Sequence, residues 1–65
     1  MMAAMRFVLE VDLDAGAVKD APGDEVGRIL RYWGSTMKHL PLTLGDSQAL
    51  YDSTYTEVGS WTVTS

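Results

Sequence analysis

A single apolar stripe limits what this chain can fold into. Val26, Ile29, Leu30, Trp33, Met37 and Leu40 recur at steps of three and four residues. Wound as a helix, all six fall within an arc of roughly 100°. Pro22 suits the first helical position, because its ring fixes φ and its missing N–H would have had no partner there. It also keeps Ala21 extended, as a capping position requires. Asp24 and Glu25 then put negative charge at the positive end of the helix dipole. Pro41 ends the pattern after about four turns. One lone amphipathic helix cannot bury its own stripe, so the rest of the chain has to supply a layer to receive it.

That layer is written in period two. Residues 5–13 alternate, with Phe7, Leu9, Val11 and Leu13 to one side and Arg6, Val8, Glu10, Asp12 and Asp14 to the other. This predicts a strand with one buried face. Asp14-Ala-Gly-Ala breaks the alternation. Beyond the helix, Gly45-Asp46-Ser47 marks a turn. Residues 49–52 read as a short strand and 57–64 as a longer one, joined by a hairpin loop at 53–56. Strict alternation in the last strand puts Gly59, Trp61 and Val63 inward and Val58, Ser60, Thr62 and Thr64 outward.

The order β-α-β-β predicts an α+β fold: one domain at 5–65, preceded by a flexible N-terminal segment at 1–4. A right-handed crossover followed by a hairpin return places the last strand in the centre of a mainly antiparallel three-stranded sheet. Ile29, Leu30, Trp33 and Met37 are expected to cover Phe7, Leu9, Val11, Trp61 and Val63. Gly27 and Gly34, seven residues apart, weaken the helix by about 1–2 kcal/mol relative to alanine. Their shared flank is expected to receive a close backbone.

Composition narrows the function. Sixty-five residues hold one small domain and exclude the large cofactor-binding scaffolds. Such a chain buries only ~60% of its unfolded surface. Without cysteine it cannot add disulfides or thiolate metal sites, which leaves self-association as the obvious supplement. Nine acids against five bases argue against a nucleic-acid binder. The charge is uneven: residues 26–45 carry three bases and no acid. No stretch approaches the ~20 apolar residues of a membrane span, and no signal-peptide pattern is present. A soluble cytoplasmic protein, with no membrane contact, is expected.

The catalytic motifs are missing. Asp12-Leu-Asp14-Ala-Gly16 opens like a calcium loop, but its twelfth position is Gly23, where a bidentate glutamate belongs. Gly45-Asp46-Ser47 has the look of an esterase nucleophile block, yet the lone His39 lies elsewhere, so a turn is the better reading. No enzyme activity, catalytic residue, cofactor or metal is expected.

Two surfaces remain. Opposite the apolar stripe stand Arg28, Arg31, Ser35, Lys38 and His39, with Tyr32 on the border. Arg and Tyr are over-represented among binding hot spots, so these six form the expected protein-partner face. On the open side of the sheet, Val8, Val58 and Thr62 form the expected homodimer face. Trp33 and Trp61 are assigned to the core, and Tyr51 and Tyr55 to the hairpin.

Three segments together carry a resemblance: Arg6-Phe-Val-Leu-Glu-Val-Asp-Leu-Asp, Pro22-Gly-Asp-Glu-Val-Gly-Arg-Ile-Leu-Arg, and Leu50-Tyr-Asp with Glu57-Val-Gly-Ser-Trp-Thr-Val. The chain resembles a group of small uncharacterised open reading frames of bacteriophages, prophages and actinobacteria. These run strand, helix, then an aspartate-led hairpin closing on Val-Gly-x-Trp. They often carry Asn-Gly in the hairpin, where this chain has Ser53-Thr-Tyr-Thr. The resemblance implies a phage-related accessory protein that binds a host or phage protein, and it transfers no activity. The leading expectation is therefore a non-catalytic protein-interaction module. The alternatives are a homodimeric assembly block and a nucleic-acid accessory factor.

Overall fold

A computed structural model of the chain describes residues 4–65. The flexible segment expected at 1–4 thus lies, for residues 1–3, outside the described residues. Strand β1 (Arg6–Val11) leads through a short helix α1 (Gly16–Asp20) into helix α2 (Pro22–Thr36), which tightens into a 3₁₀ turn (Met37–His39). Strands β2 (Ser47–Tyr51) and β3 (Glu57–Thr64) follow. The sheet order is β1-β3-β2 and both pairings are antiparallel, so the last strand is central, as the crossover argument requires. The α+β reading holds.

Period two decides which side of the sheet receives the helix. Phe7, Leu9 and Val11 lie opposite Val63, Trp61 and Gly59, while Arg6, Val8 and Glu10 lie opposite Thr64, Thr62 and Ser60. The first set faces α2. The core is Val18, Ile29, Leu50, Val58, Trp61 and Val63, with Leu9, Val11, Val26, Trp33, Met37 and Leu40 packed around it. Trp61 meets Trp33 edge-on at 5.6 Å and Phe7 at 5.5 Å, so an aromatic row crosses the layer. Pro22 occupies the first turn of α2, with Asp24 and Glu25 beside it.

Four expectations need correction. Val58 does not lie on the open face: it is only 2% exposed and belongs to the core. Leu50 pairs with Gly59 but Tyr51 pairs with Glu57, which leaves Val58 as the extra residue of a β-bulge. A bulge interrupts alternation and turns its extra side chain to the same side as its neighbour. That neighbour must be glycine, because a Cβ on Gly59 would collide with the Glu10 carbonyl oxygen and crowd the Val11 backbone.

The second correction is α1, where a plain breaker was expected. Its five residues are too few to show a period, yet they deliver the fully buried Val18 to the core. Third, the helix stripe is rolled. Leu30 is 51% exposed and Phe7 45% exposed, while Leu13 falls in the turn beyond β1 and faces solvent. At the other edge Glu25 accepts the Ser53 amide and Arg28 donates to the Tyr51 carbonyl, which fixes that flank of α2 to the hairpin. Finally, no backbone approaches the glycine flank. A Cβ on Gly34 would meet nothing within 4 Å, and one on Gly27 would meet only the Arg31 guanidinium.

These glycines should therefore respond in opposite ways. Gly59→Ala is expected to destabilise by about 2–3 kcal/mol, since the obstructing atoms are backbone. Gly34→Ala should stabilise by about 1 kcal/mol through helix propensity alone. Urea unfolding of the two variants beside the parent measures both. Equal effects would contradict the packing described.

Candidate functional site

The hairpin between β2 and β3 is organised by one carboxylate. Asp52 is 2% exposed. Its Oδ1 accepts the Thr54 amide at 2.8 Å, the Thr54 hydroxyl at 2.7 Å and the Thr56 amide at 2.9 Å. Its Oδ2 accepts the Ala17 amide at 2.7 Å, which caps the first turn of α1 from across the fold. Gly16 has φ +50°, and a Cβ there would collide with that same Oδ2. These donors hold the Asp52 carboxyl well below the usual carboxylate range. The Thr54 hydroxyl contributes most, followed by the Ala17 and Thr56 amides, and together they outweigh the opposing effect of burial.

A second carboxylate joins the same loop to α2. Glu25 accepts the Ser53 amide at 2.9 Å and its hydroxyl at 2.8 Å. Its pKa is lowered, mainly by the Ser53 hydroxyl, then by the Ser53 amide, with Arg28 adding to the effect. Arg28 lies 3.4 Å from Glu25, the one ion pair among the described residues, and donates to the Tyr51 carbonyl at 2.9 Å. Its Nε is buried with no hydrogen-bond partner among the described residues.

Between α2 and the edge strand β2 these ties leave an open groove of about 430 Å³. Arg28, Tyr32 and Trp33 form one wall; Gln48, Tyr51 and Tyr55 form the other. Arg28 and Tyr32 share this flank because they stand one helical turn apart. Tyr32 packs edge-on against Trp33 at 5.2 Å, which holds its ring upright beside the groove. Tyr55 sits at the loop tip, 87% exposed, with φ +62°, a left-handed conformation that bulky residues rarely adopt.

The expected partner face is thereby split. Arg28 and Tyr32 line the groove, with Arg28 in the seam instead of on the solvated back of the helix. Arg31, Ser35, Lys38 and His39 are exposed but do not line it. Ser35 donates to the Tyr32 carbonyl at 3.0 Å, and Lys38 and His39 ride on the 3₁₀ turn. Of the expected homodimer face, Val8 and Thr62 pair across the open side while Val58 is withdrawn into the core. Gln48, Asp52 and Tyr55 were not expected as site residues, although Asp52 and Tyr55 were placed in the hairpin. Their signal was present in Asp52-Ser53-Thr54-Tyr55-Thr56, a run rich in residues that hydrogen-bond their own backbone, with no glycine at the left-handed position.

The remaining motifs are structural. Asp12 accepts the Asp14 amide at 2.8 Å and turns the chain out of β1. Asp46 accepts the Thr43 amide at 3.0 Å and closes the turn before β2. Among the described residues no three His, Asp or Glu side chains gather as a metal set. No helix among them is long and apolar enough to cross a membrane. No family model, curated protein or solved structure matches the chain.

Two outcomes follow from this loop. A carboxyl whose folded pKa is depressed stabilises fully above its unfolded value of ~3.9 and progressively less as pH falls below it. Asp52→Asn should therefore lower stability at neutral pH, and the gap to the parent should close as pH drops through the acid range, as thermal melts would show. Tyr55→Gly relieves left-handed strain and should raise stability by ~1 kcal/mol. A loss of stability would instead mean that the ring packs productively.

Proposed function

We propose that the chain is a non-catalytic protein-interaction module that takes an extended, acidic segment of a partner along the free edge of β2. The observation that carries this reading is the coincidence of an unpaired strand edge with a wall of arginine and tyrosine. Val63 donates to the Asp46 carbonyl at 2.8 Å, so the even-numbered residues of β2 direct their backbone groups at β3. Ser47, Ala49 and Tyr51 therefore direct theirs outward. The Tyr51 carbonyl already receives Arg28.

An added strand would draw affinity from these main-chain groups and specificity from the side chains alongside. Tyr32, Tyr51 and Tyr55 offer rigid aromatic surface at low entropic cost, and arginine is frequent among hot spots. The acidic preference rests on Arg28, the cation that lines the groove, with Arg31 and Lys38 exposed beyond it on a stretch, residues 26–45, that carries no acid. The resemblance to phage and actinobacterial reading frames supports a host or phage protein as the partner.

Displayed-peptide selection on the parent chain, with counter-selection on Ala49→Pro, tests this reading. Proline at an outward-facing edge position removes one free N–H and is tolerated by the fold. Acidic, extended sequences that bind the parent and lose about tenfold or more in affinity on Ala49→Pro and on Tyr32→Ala are expected. Peptides that bind parent and variants alike, or no enrichment at all, would contradict it.

A further inference from the structure

The opposite edge of the sheet has a different character. β1 carries no proline and no bulge, and the roll of α2 leaves its helix-side face partly bare, with Met5 and Phe7 exposed. Asp12 donates to the Val58 carbonyl at 2.7 Å, which aligns the even-numbered residues of β1 with β3. Phe7, Leu9 and Val11 therefore point their N–H and C=O groups away from the sheet. A row of unpaired backbone groups is a template for another strand.

We infer that this edge pairs with β1 of a second copy of the same chain, antiparallel about a two-fold axis at Val8. The occupant is identified by charge and side-chain complementarity within β1 itself. In that register Arg6 of one copy stands opposite Glu10 of the other, twice. Phe7 stands opposite Leu9, also twice, and Met5 opposite Val11. The hydrogen-bonding parity agrees: Phe7 and Leu9 fall at hydrogen-bonded pairs, while Val8 and the Arg6–Glu10 pairs fall at the closer, non-hydrogen-bonded ones. At such positions opposite charges lie within reach of each other across the strands.

Neighbouring registers of the same parity lose this match. Shifting the axis to Phe7 sets Arg6 against Val8, and shifting it to Leu9 sets Glu10 against Val8 and moves Arg6 opposite Asp12, which lies beyond the end of β1. Within one copy neither Arg6 nor Glu10 has an ion-pair partner among the described residues. The product is a continuous six-stranded antiparallel sheet, with both Phe7 rings covered at the seam. The expected Val8–Thr62 face contributes only Val8, at the axis. The β2 groove lies at the far edge of each copy and stays open, so this association stands or falls independently of peptide binding.

Charge reversal tests the register directly. Sedimentation equilibrium of the full chain should give about twice its 7.1 kDa mass. Arg6→Glu alone and Glu10→Arg alone each place like charges opposite one another twice, and should weaken association about a hundredfold. The double variant Arg6→Glu/Glu10→Arg should associate again. An equimolar mixture of the two single variants should form a mixed dimer. Circular dichroism of each confirms the fold. A parent that stays monomeric at high concentration overturns the inference. So does an association that survives both reversals, or one that Thr62→Lys abolishes while the single reversals leave it intact.

Discussion

The buried carboxylate of Asp52 joins α1 to the hairpin loop, adding a polar tie to the apolar contact that Val18 makes with the core. Its four hydrogen bonds tie the N-terminus of α1 to the hairpin loop, 35 residues along the chain. An acid so enclosed would be costly to ionise without such donors, and with them it is strongly favoured in its charged form. Gly16 and the threonines at 54 and 56 are consequences of that choice. So is the position of Tyr55, which the loop holds at its tip in a conformation that favours glycine.

From that loop the rest of the asymmetry follows. Glu25 and Arg28 bind the loop and the end of β2, which anchors that flank of the helix to the hairpin. One edge of the sheet thereby gains a groove with aromatic walls. The other edge loses cover, and Phe7 and Leu30 are left half in solvent. In so small a domain a single helix cannot close both sides of a three-stranded layer. The two edges consequently present different chemistry: one is a groove of tyrosines around an arginine paired with Glu25, the other apolar with alternating charge.

Much of this was legible in the sequence wherever a period was long enough to read. The alternation before the first turn, the stripe behind Pro22 and the strand at Glu57–Thr64 all lie where the pattern put them. Period says nothing about the azimuth of a helix on its sheet, so Leu30 was assigned inward and Arg28 outward. Val58 was misplaced because alternation assumes an unbroken ladder. Gly59 inside a strand was the available warning, since such a glycine marks a bulge or a close backbone. α1 has alanine at its own N-cap, takes its capping carboxylate from Asp52 far along the chain, and is only five residues long, so nothing in its local sequence announced it. The six residues expected on one face are divided for the same reason: Arg28 and Tyr32 line the groove, and the helix roll separates them from Arg31 and Lys38.

Proton NMR of three amides tests the central role of Asp52 most directly. Ala17, Thr54 and Thr56 are far apart or unremarkable in sequence, yet each donates to the same carboxyl group. Their amide shifts should move together as pH is lowered, with one shared midpoint clearly below the ordinary aspartate value. Separate midpoints, an unresponsive Ala17, or a shared midpoint at the ordinary value would show that Asp52 does not organise the fold in this way.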